Sequence, residues 1–444
     1  MPKVSIIMPS YNVAAYIGEC MESVVGQTLR DIEVLCIDAG SEDGTYELLM
    51  EYAAGDDRIR LIRSEMKSYG YQVNLGIREA RADYIGIVET DDYISPDMFE
   101  ILYDKVTEFG LDYAKGDFES FYQDTEGRRH FSRAKNFTEA RAMLRDTVLR
   151  PREELQCFDP NIWKGLYRKA FIEENDIYLS ETPGAAYQDI YFTMLVAMRA
   201  DRAMYIDRPL YFYRTDRADS SIYSPRVLKN CFYEYGRLAP LIEQETDRGS
   251  IAAFYYRLSV TLPYEIKKLL QSNGYDTEDK NITDYYDWFA EQVRRGLEQG
   301  FIAEGNYQPE VYEDICILSA SLKGYGETLK GREGKRKEAM ERLRQGICVI
   351  FGAGIRGGNI LNILKEEGIF AAAFTDNDRS KWGSIYPAEG GRTCEIISPR
   401  QTIGSYSDAC FIIANRDHEE EIAEQLLGLG VTRDRIVRGS LLIG

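Results

Sequence analysis

Residues 4 to 88 alternate short apolar runs with stretches whose apolar positions recur every three or four residues. Val4 to Met8 reads as a buried strand, and Ala14 to Val25 puts Ile17, Met21, Val24 and Val25 on one helix face. Ile32 to Ile37 and Ile59 to Ile62 read as further strands, and Gly44 to Ala53 and Tyr71 to Ala80 as helices. Asp83 to Val88 reads as a fourth strand, ending at an acidic cluster. This rhythm predicts an α/β fold with a parallel sheet, whose ligands bind beyond the carboxyl ends of the strands.

From about Arg226 to Gly346 the pattern changes. Ile251 to Leu270 and Ile282 to Leu297 are long, periodic and rich in tyrosine, which predicts a helical domain or spacer without a catalytic constellation. The glycine-containing charged run Lys323 to Gly334 reads as a looser connection. A third unit begins at Ile347, with a strand at Cys348 to Phe351, a glycine turn, a helix from Asn359 to Glu367 and a strand from Ala371 to Thr375. Strands at Ala409 to Ile413 and Arg435 to Val437 and a helix from His418 to Leu427 complete a small Rossmann-like pattern. The expected domains are thus 1–225, 226–345 and 346–444.

At 444 residues the chain is too long for one ordinary core. No run approaches the roughly 18 apolar residues that would span a bilayer. Met-Pro-Lys-Val-Ser-Ile-Ile leads directly into a predicted strand, the pattern expected without a secretory leader. Eight cysteines without C-x-x-C spacing read as reduced thiols, so a cytoplasmic protein is expected, soluble or at the inner face of the membrane. A net charge of −19 argues against nucleic-acid binding. One basic segment, Lys330 with Lys335, Arg336, Lys337, Arg342 and Arg344, reads first as a solvated helix face and second as a peripheral contact with anionic lipid.

Candidate chemistry sits at the strand ends. Val88-Glu89-Thr90-Asp91-Asp92 follows a buried strand, and hard oxygen ligands of this kind suit Mg²⁺ or Mn²⁺ completed by substrate phosphates. An isolated sequence of this kind is more often a solvated acidic loop. Here Pro9-Ser10-Tyr11-Asn12 and Asp38-Ala-Gly40-Ser41-Glu-Asp43-Gly44-Thr45 fall at neighbouring strand ends. The second of these either caps the following helix or, with Tyr11 to stack, makes a nucleotide seat.

In this order and spacing, residues 3 to about 222 resemble the family 2 glycosyltransferases of the GT-A fold. The likeness continues through Asn74-Leu-Gly76, Ile162-Trp163-Lys164-Gly-Leu-Tyr167-Arg168, Gln188-Asp189, and Tyr211-Phe-Tyr213-Arg214 with Ser220-Ser221. The resemblance implies a nucleoside-diphosphate sugar donor, with Pro9, Tyr11, Asp38, Asn74 and Asp91 on the donor side. It implies a metal at Glu89, Asp91 and Asp92, and Trp163, Lys164, Gln188 and Arg214 on the acceptor side. Asp189 is the implied base for an inverting displacement, while its place before Ile190 to Ala197 also suits a helix N-terminus. Ala39, Glu89 and Val73 depart from the family's usual acid, aspartate and arginine, so Lys67 is a candidate for diphosphate contact.

The C-terminal Gly352, Gly354 and Gly357 follow a strand and open a helix, and Asp376 lies 22 residues beyond Gly354. That is the context of a dinucleotide- or nucleotide-binding turn, equally of a Rossmann-like fold that binds nothing. The favoured expectation is a non-processive transferase moving a sugar, most simply from a UDP-sugar, to a glycan or lipid-linked acceptor in bacterial-type surface polysaccharide synthesis. The rivals are a catalytically degenerate scaffold, a sugar-nucleotide synthesising nucleotidyltransferase, and an oxidoreductase confined to the C-terminal domain.

Overall fold

The computed structural model describes residues 1–124, 126–137, 139–153, 159–217, 227–386, 394–416 and 418–443. Cys157, Ser220, Ser221 and the expected boundary near Arg226 lie outside them. The chain forms two compact units, Met1–Leu322 and Lys323–Gly444.

In the first unit the predicted alternation appears as β1 (Val4–Ser10), α1 (Ile17–Val25), β2 (Ile32–Asp38), α2 (Thr45–Gly55), β3 (Ile59–Arg63), α3 (Tyr69–Glu79) and β4 (Tyr84–Ile87). It continues through β5 (Tyr93–Ile94), α4 (Met98–Phe109), β6 (Tyr113–Gln123), β7 (Arg129–Ala134), β8 (Gly165–Arg168), α5 (Lys169–Glu174), α6 (Asp189–Arg199) and β9 (Ala203–Arg214). These strands form one sheet in the order β3-β2-β1-β4-β8-β6-β9-β5, with β7 beside β6. Only its first half is the parallel sheet expected: β3, β2, β1 and β4 run together, while β8 turns antiparallel to β4. Every residue of β1 and β2 is buried, which explains their continuous apolar runs.

The helical stretch does not stand apart as a spacer. Helices α7 (Val227–Glu243), α8 (Arg248–Ser272), α9 (Lys280–Glu298) and α10 (Pro309–Ala320) belong to the first unit. Asp247 caps α8 by accepting from Ser250 N at 2.7 Å. The run Lys323 to Gly334 is no loose connection either, but part of a helix, α11 (Leu322–Gln345). Its buried Tyr325, Leu329, Met340 and Leu343 recur at helical spacing. Gly331 and Gly334 face open space, so each costs only its helix propensity, about 1 kcal/mol.

The second unit adds β10 (Cys348–Phe351), α12 (Ile355–Glu366), β11 (Ala371–Thr375), β12 (Ile385–Tyr386), β13 (Cys394–Ile397), α13 (Pro399–Ser405), β14 (Cys410–Ile413), α14 (Glu419–Gly428) and β15 (Ile436–Arg438). Its sheet runs β12-β13-β11-β10-β14-β15 and is parallel except for β12. No helix among the described residues is long and apolar enough to cross a membrane.

Candidate active site

A cavity of about 940 Å³ opens beyond the carboxyl ends of β1, β2 and β4 in the first unit. Pro9, Tyr11, Glu89, Asp91, Trp163, Gln188 and Asp189 all line it, so residues far apart in the chain share one space.

The two turns at its strand ends build each other. Asn12, with φ of 52°, lies in the left-handed region; its N–H donates to Ser41 Oγ and its side-chain oxygen accepts from Glu42 N, both at 2.9 Å. Thr45 and Asp43 accept from the backbone N–H groups of Val13 and Ala14. The β1 and β2 turns are therefore one rigid rim. Tyr11 stands exposed on it, with Lys67 Nζ hydrogen-bonded to its hydroxyl at 2.9 Å and lying 4.6 Å from its ring centroid. That pair offers a flat ring beside a cation.

Beyond the rim lie the carboxylates. Asp91 Oδ2 pairs with Arg217 at 3.0 Å, and both residues line the cavity. Glu89 Oε1 accepts from the Tyr69 hydroxyl. Burial pushes the Glu89 carboxyl up to about 8; the Tyr69 hydrogen bond opposes this, while Asp91 and Asp189 add to it. Asp189 opens α6 and is partly buried. Burial raises its carboxyl to about 6, held from rising further by its own backbone N–H and the charges of Arg257 and Lys115.

The segment that presents Asp189 is fastened on several sides. Gln188 accepts from Gly70 N at 2.9 Å and donates to Thr182. Gly70 has to be glycine, because a Cβ there would lie 2.0 Å from the Ser180 carbonyl oxygen. Tyr187 is held at φ of 62°, strained for a residue with a side chain. Its hydroxyl donates to the buried Glu265 of α8. Opposite, Trp163 stacks on Tyr213 with centroids 5.3 Å apart, and Phe118 meets it edge-on, making an aromatic floor.

Other expected site residues make contacts within the protein. Asp38 is 1% exposed and spends both oxygens on its own turn, accepting from Gly40 N, Ser41 N and Ser41 Oγ. Asn74 grips the backbone of Leu179 through both side-chain atoms, at 2.9 and 3.0 Å. Asp92 is buried and accepts from Tyr211 Oη and Arg214 N, so it anchors β9. Among the described residues no three His, Cys, Asp or Glu side chains are grouped to hold a metal; of the three expected carboxylates, Glu89 and Asp91 line the cavity. Lys164 is buried against Asp159 at 3.2 Å, and Arg214 reaches Glu19 and the Asp91 carbonyl. Val73 is fully buried, and among the described residues Lys67, Arg217 and Arg257 are the cations lining the cavity.

Sequence reasoning missed Tyr69, Gln72, Arg217 and the whole contribution of α8, whose Arg257, Val260, Thr261 and Tyr264 line the cavity. The signal was present in α8 as an i, i+3, i+4, i+7 stripe, but polar members disguised it among core positions.

In the second unit Gly357 supports the glycine turn by close approach: a Cβ there would lie 2.1 Å from the Gly352 carbonyl oxygen. Gly354 is the residue immediately before α12. Asp376 accepts from Ala353 N at 2.8 Å, Lys381 Nζ at 2.9 Å and Asp378 N at 2.9 Å. The carboxylate expected at a ribose is thus engaged by its own turn.

Residues 5–174 match the model of glycosyl transferase family 2, and residues 345–437 match the family described as C2185-like, N-terminal. An uncharacterized glycosyltransferase, EpsJ, of Bacillus subtilis is 34% identical over 48% of this chain and 61% of its own length. Glycosyltransferase GlyA of Streptococcus pneumoniae is 28% identical over 49% of this chain and 31% of its own length. The chain thus spans less than two thirds of either relative. Among solved structures, S. aureus TarS 1-349 superposes with a TM-score of 0.53 at 16% identity, covering 75% of this chain and 92% of that one. The rim, the carboxylates after β4 and the sheet between them fall inside the matched segment, and the chain carries at residues 5–174 a glycosyltransferase family 2 domain of GT-A-like fold.

Proposed function

We propose that the first unit transfers a sugar, with inversion, from a nucleoside-diphosphate sugar to a hydroxyl of a glycan or lipid-linked acceptor in surface polysaccharide synthesis. The observation that carries this reading is the shared cavity: Tyr11 and Lys67 at one end, Asp91 in the middle and Asp189 facing the same space. TarS, which shares the fold, has been solved with UDP and with UDP-GlcNAc, which favours a uridine donor here.

In this reading Tyr11 stacks on the base and Lys67 and Arg217 meet the diphosphate. Asp91, with Glu89 beside it, is the oxygen donor set for a divalent cation. Such a cation would neutralise charge that develops on the leaving diphosphate. Asp189 accepts the proton of the attacking hydroxyl, and a carboxyl raised to about 6 is ionised at neutral pH while remaining a better base than an ordinary carboxylate. The aromatic floor of Trp163, Tyr213 and Phe118 excludes water and supports sugar rings.

A thermal-shift panel of UDP-, GDP-, CMP- and TDP-sugars, each with and without Mn²⁺, tests the reading. A UDP-sugar at a hundredfold excess over Kd stabilises the wild type by about 2.7 kcal/mol, in a Mn²⁺-dependent way that Asp91→Ala abolishes. If no nucleotide sugar stabilises the wild type, the donor assignment falls.

A further inference from the structure

One wall of the cavity comes from outside the matched family segment. Arg257, Val260, Thr261 and Tyr264 of α8 line it, spaced so that they share one helix face over two turns. This wall differs in chemistry from the Tyr11–Lys67 rim. Tyr264 is 58% exposed, and Lys268 Nζ lies 5.3 Å from its ring centroid. Thr261 Oγ1 accepts from Tyr235 Oη at 3.1 Å. Asp189 and Arg257 of α8 line the same cavity.

We propose that this face of α8 is the acceptor subsite, and that it takes a sugar ring of a glycan. The proposal rests on the glycosyl-transfer reading above. A pyranose has an apolar C–H face and a polar rim, which suits a tyrosine ring and a valine set beside a hydroxyl and a guanidinium. An acyl chain would require a continuous apolar wall, and Arg257 and Thr261 interrupt this one. The ring lies against Tyr264 and Val260 with one hydroxyl directed at Asp189. That hydroxyl's proton passes to the Asp189 carboxylate as its oxygen bonds to the anomeric carbon. The bond from that carbon to the diphosphate oxygen breaks, and its electron pair leaves with the diphosphate. The α8 stripe thereby sets acceptor specificity from a segment separate from the donor half.

The test uses the full chain with Val260→Trp, which fills the wall, and Tyr264→Ala, which removes the platform. UDP-GlcNAc with Mn²⁺ is the donor probe. The acceptor probes are the 4-nitrophenyl β-glycosides of glucose, galactose, N-acetylglucosamine and glucuronic acid. Donor Kd by calorimetry stays within about twofold of wild type in both variants, because the donor half is untouched. Transfer to a glycoside that the wild type accepts falls at least tenfold in kcat/KM, with Tyr264→Ala acting mainly on acceptor KM. Unchanged transfer in both variants overturns the subsite, and so does a loss of donor affinity that parallels the loss of transfer. A wild type that binds donor but glycosylates none of the four probes overturns the sugar-ring assignment while leaving the donor reading intact. A wild type that binds none of the UDP-, GDP-, CMP- and TDP-sugars marks failure of the glycosyl-transfer reading itself, and the subsite falls with it.

Discussion

The Tyr187 hydroxyl donates to Glu265, a contact across 78 positions that ties the residue two before Asp189 to helix α8. Tyr187 occupies the left-handed backbone region, a conformation that persists only where surrounding structure enforces it. Glu265 is 2% exposed and also pairs with Lys268 at 3.2 Å, so it is a fixed acceptor. The helical segment therefore positions the candidate base as well as lining its cavity.

Tyr187→Phe keeps the ring and removes the donor. Its kcat is expected to fall about tenfold, equivalent to about 1.4 kcal/mol, with donor Kd within about twofold. Steady-state kinetics with calorimetric donor binding separates this from a general loss of fold, which would lower both.

Asp189 predicts an acid limb in the pH profile. Its carboxyl is raised to about 6, so below that pH it carries the proton and cannot act as base. Turnover should rise with pH through about 6 and level off above it. Asp189→Asn should reduce turnover by about 10²- to 10⁴-fold, the usual worth of general base catalysis. A limb centred near the ordinary carboxylate value of about 4 would remove Asp189 from that role.

In the proposed site Arg217 and a divalent cation would compete for one carboxylate, because Arg217 pairs with Asp91 in the cavity. Partly exposed pairs contribute up to about 1 kcal/mol. Arg217→Gln should therefore tighten Mn²⁺ binding up to about fivefold without nucleotide, while weakening UDP in the presence of Mn²⁺. Calorimetry on the two ligands separately checks both signs, and unchanged values in both would remove Arg217 from the site.

Asn74 is expected to act on stability rather than on donor affinity. It satisfies both backbone groups of Leu179 from within α3. Asn74→Ala strands those groups and should lower unfolding free energy by about 1–3 kcal/mol, read from urea denaturation. A donor Kd shifted by more than tenfold, with stability unchanged, would return Asn74 to the donor side.

Much of this was legible in the chain. The apolar runs of β1 and β2 announced strands buried on both faces, and the acidic cluster after β4 announced the cavity's position. The cavity wall on α8 was not legible, because a helix face lined by arginine, threonine and tyrosine has the same local pattern whether it meets solvent or a ligand. The continuous helix α11 was hidden for a different reason: its glycines signal a break, and only burial of Tyr325 and Leu329 outweighs them.

The sequence by itself determined the order of strands and helices in the matched domain and the placement of Glu89, Asp91 and Asp189 near strand or helix ends. Those features are written in periods of two and 3.6 residues and in chemistry only a few positions long. Tertiary structure alone decided which carboxylate faces the cavity. Asp91 does, while its neighbour Asp92 is buried against Tyr211, because β9 closes over one side of the turn. It also decided that Arg217 meets Asp91 across 126 positions and that Glu265 holds Tyr187. Such pairings depend on sheet register and on the docking of distant helices, and no local pattern records them.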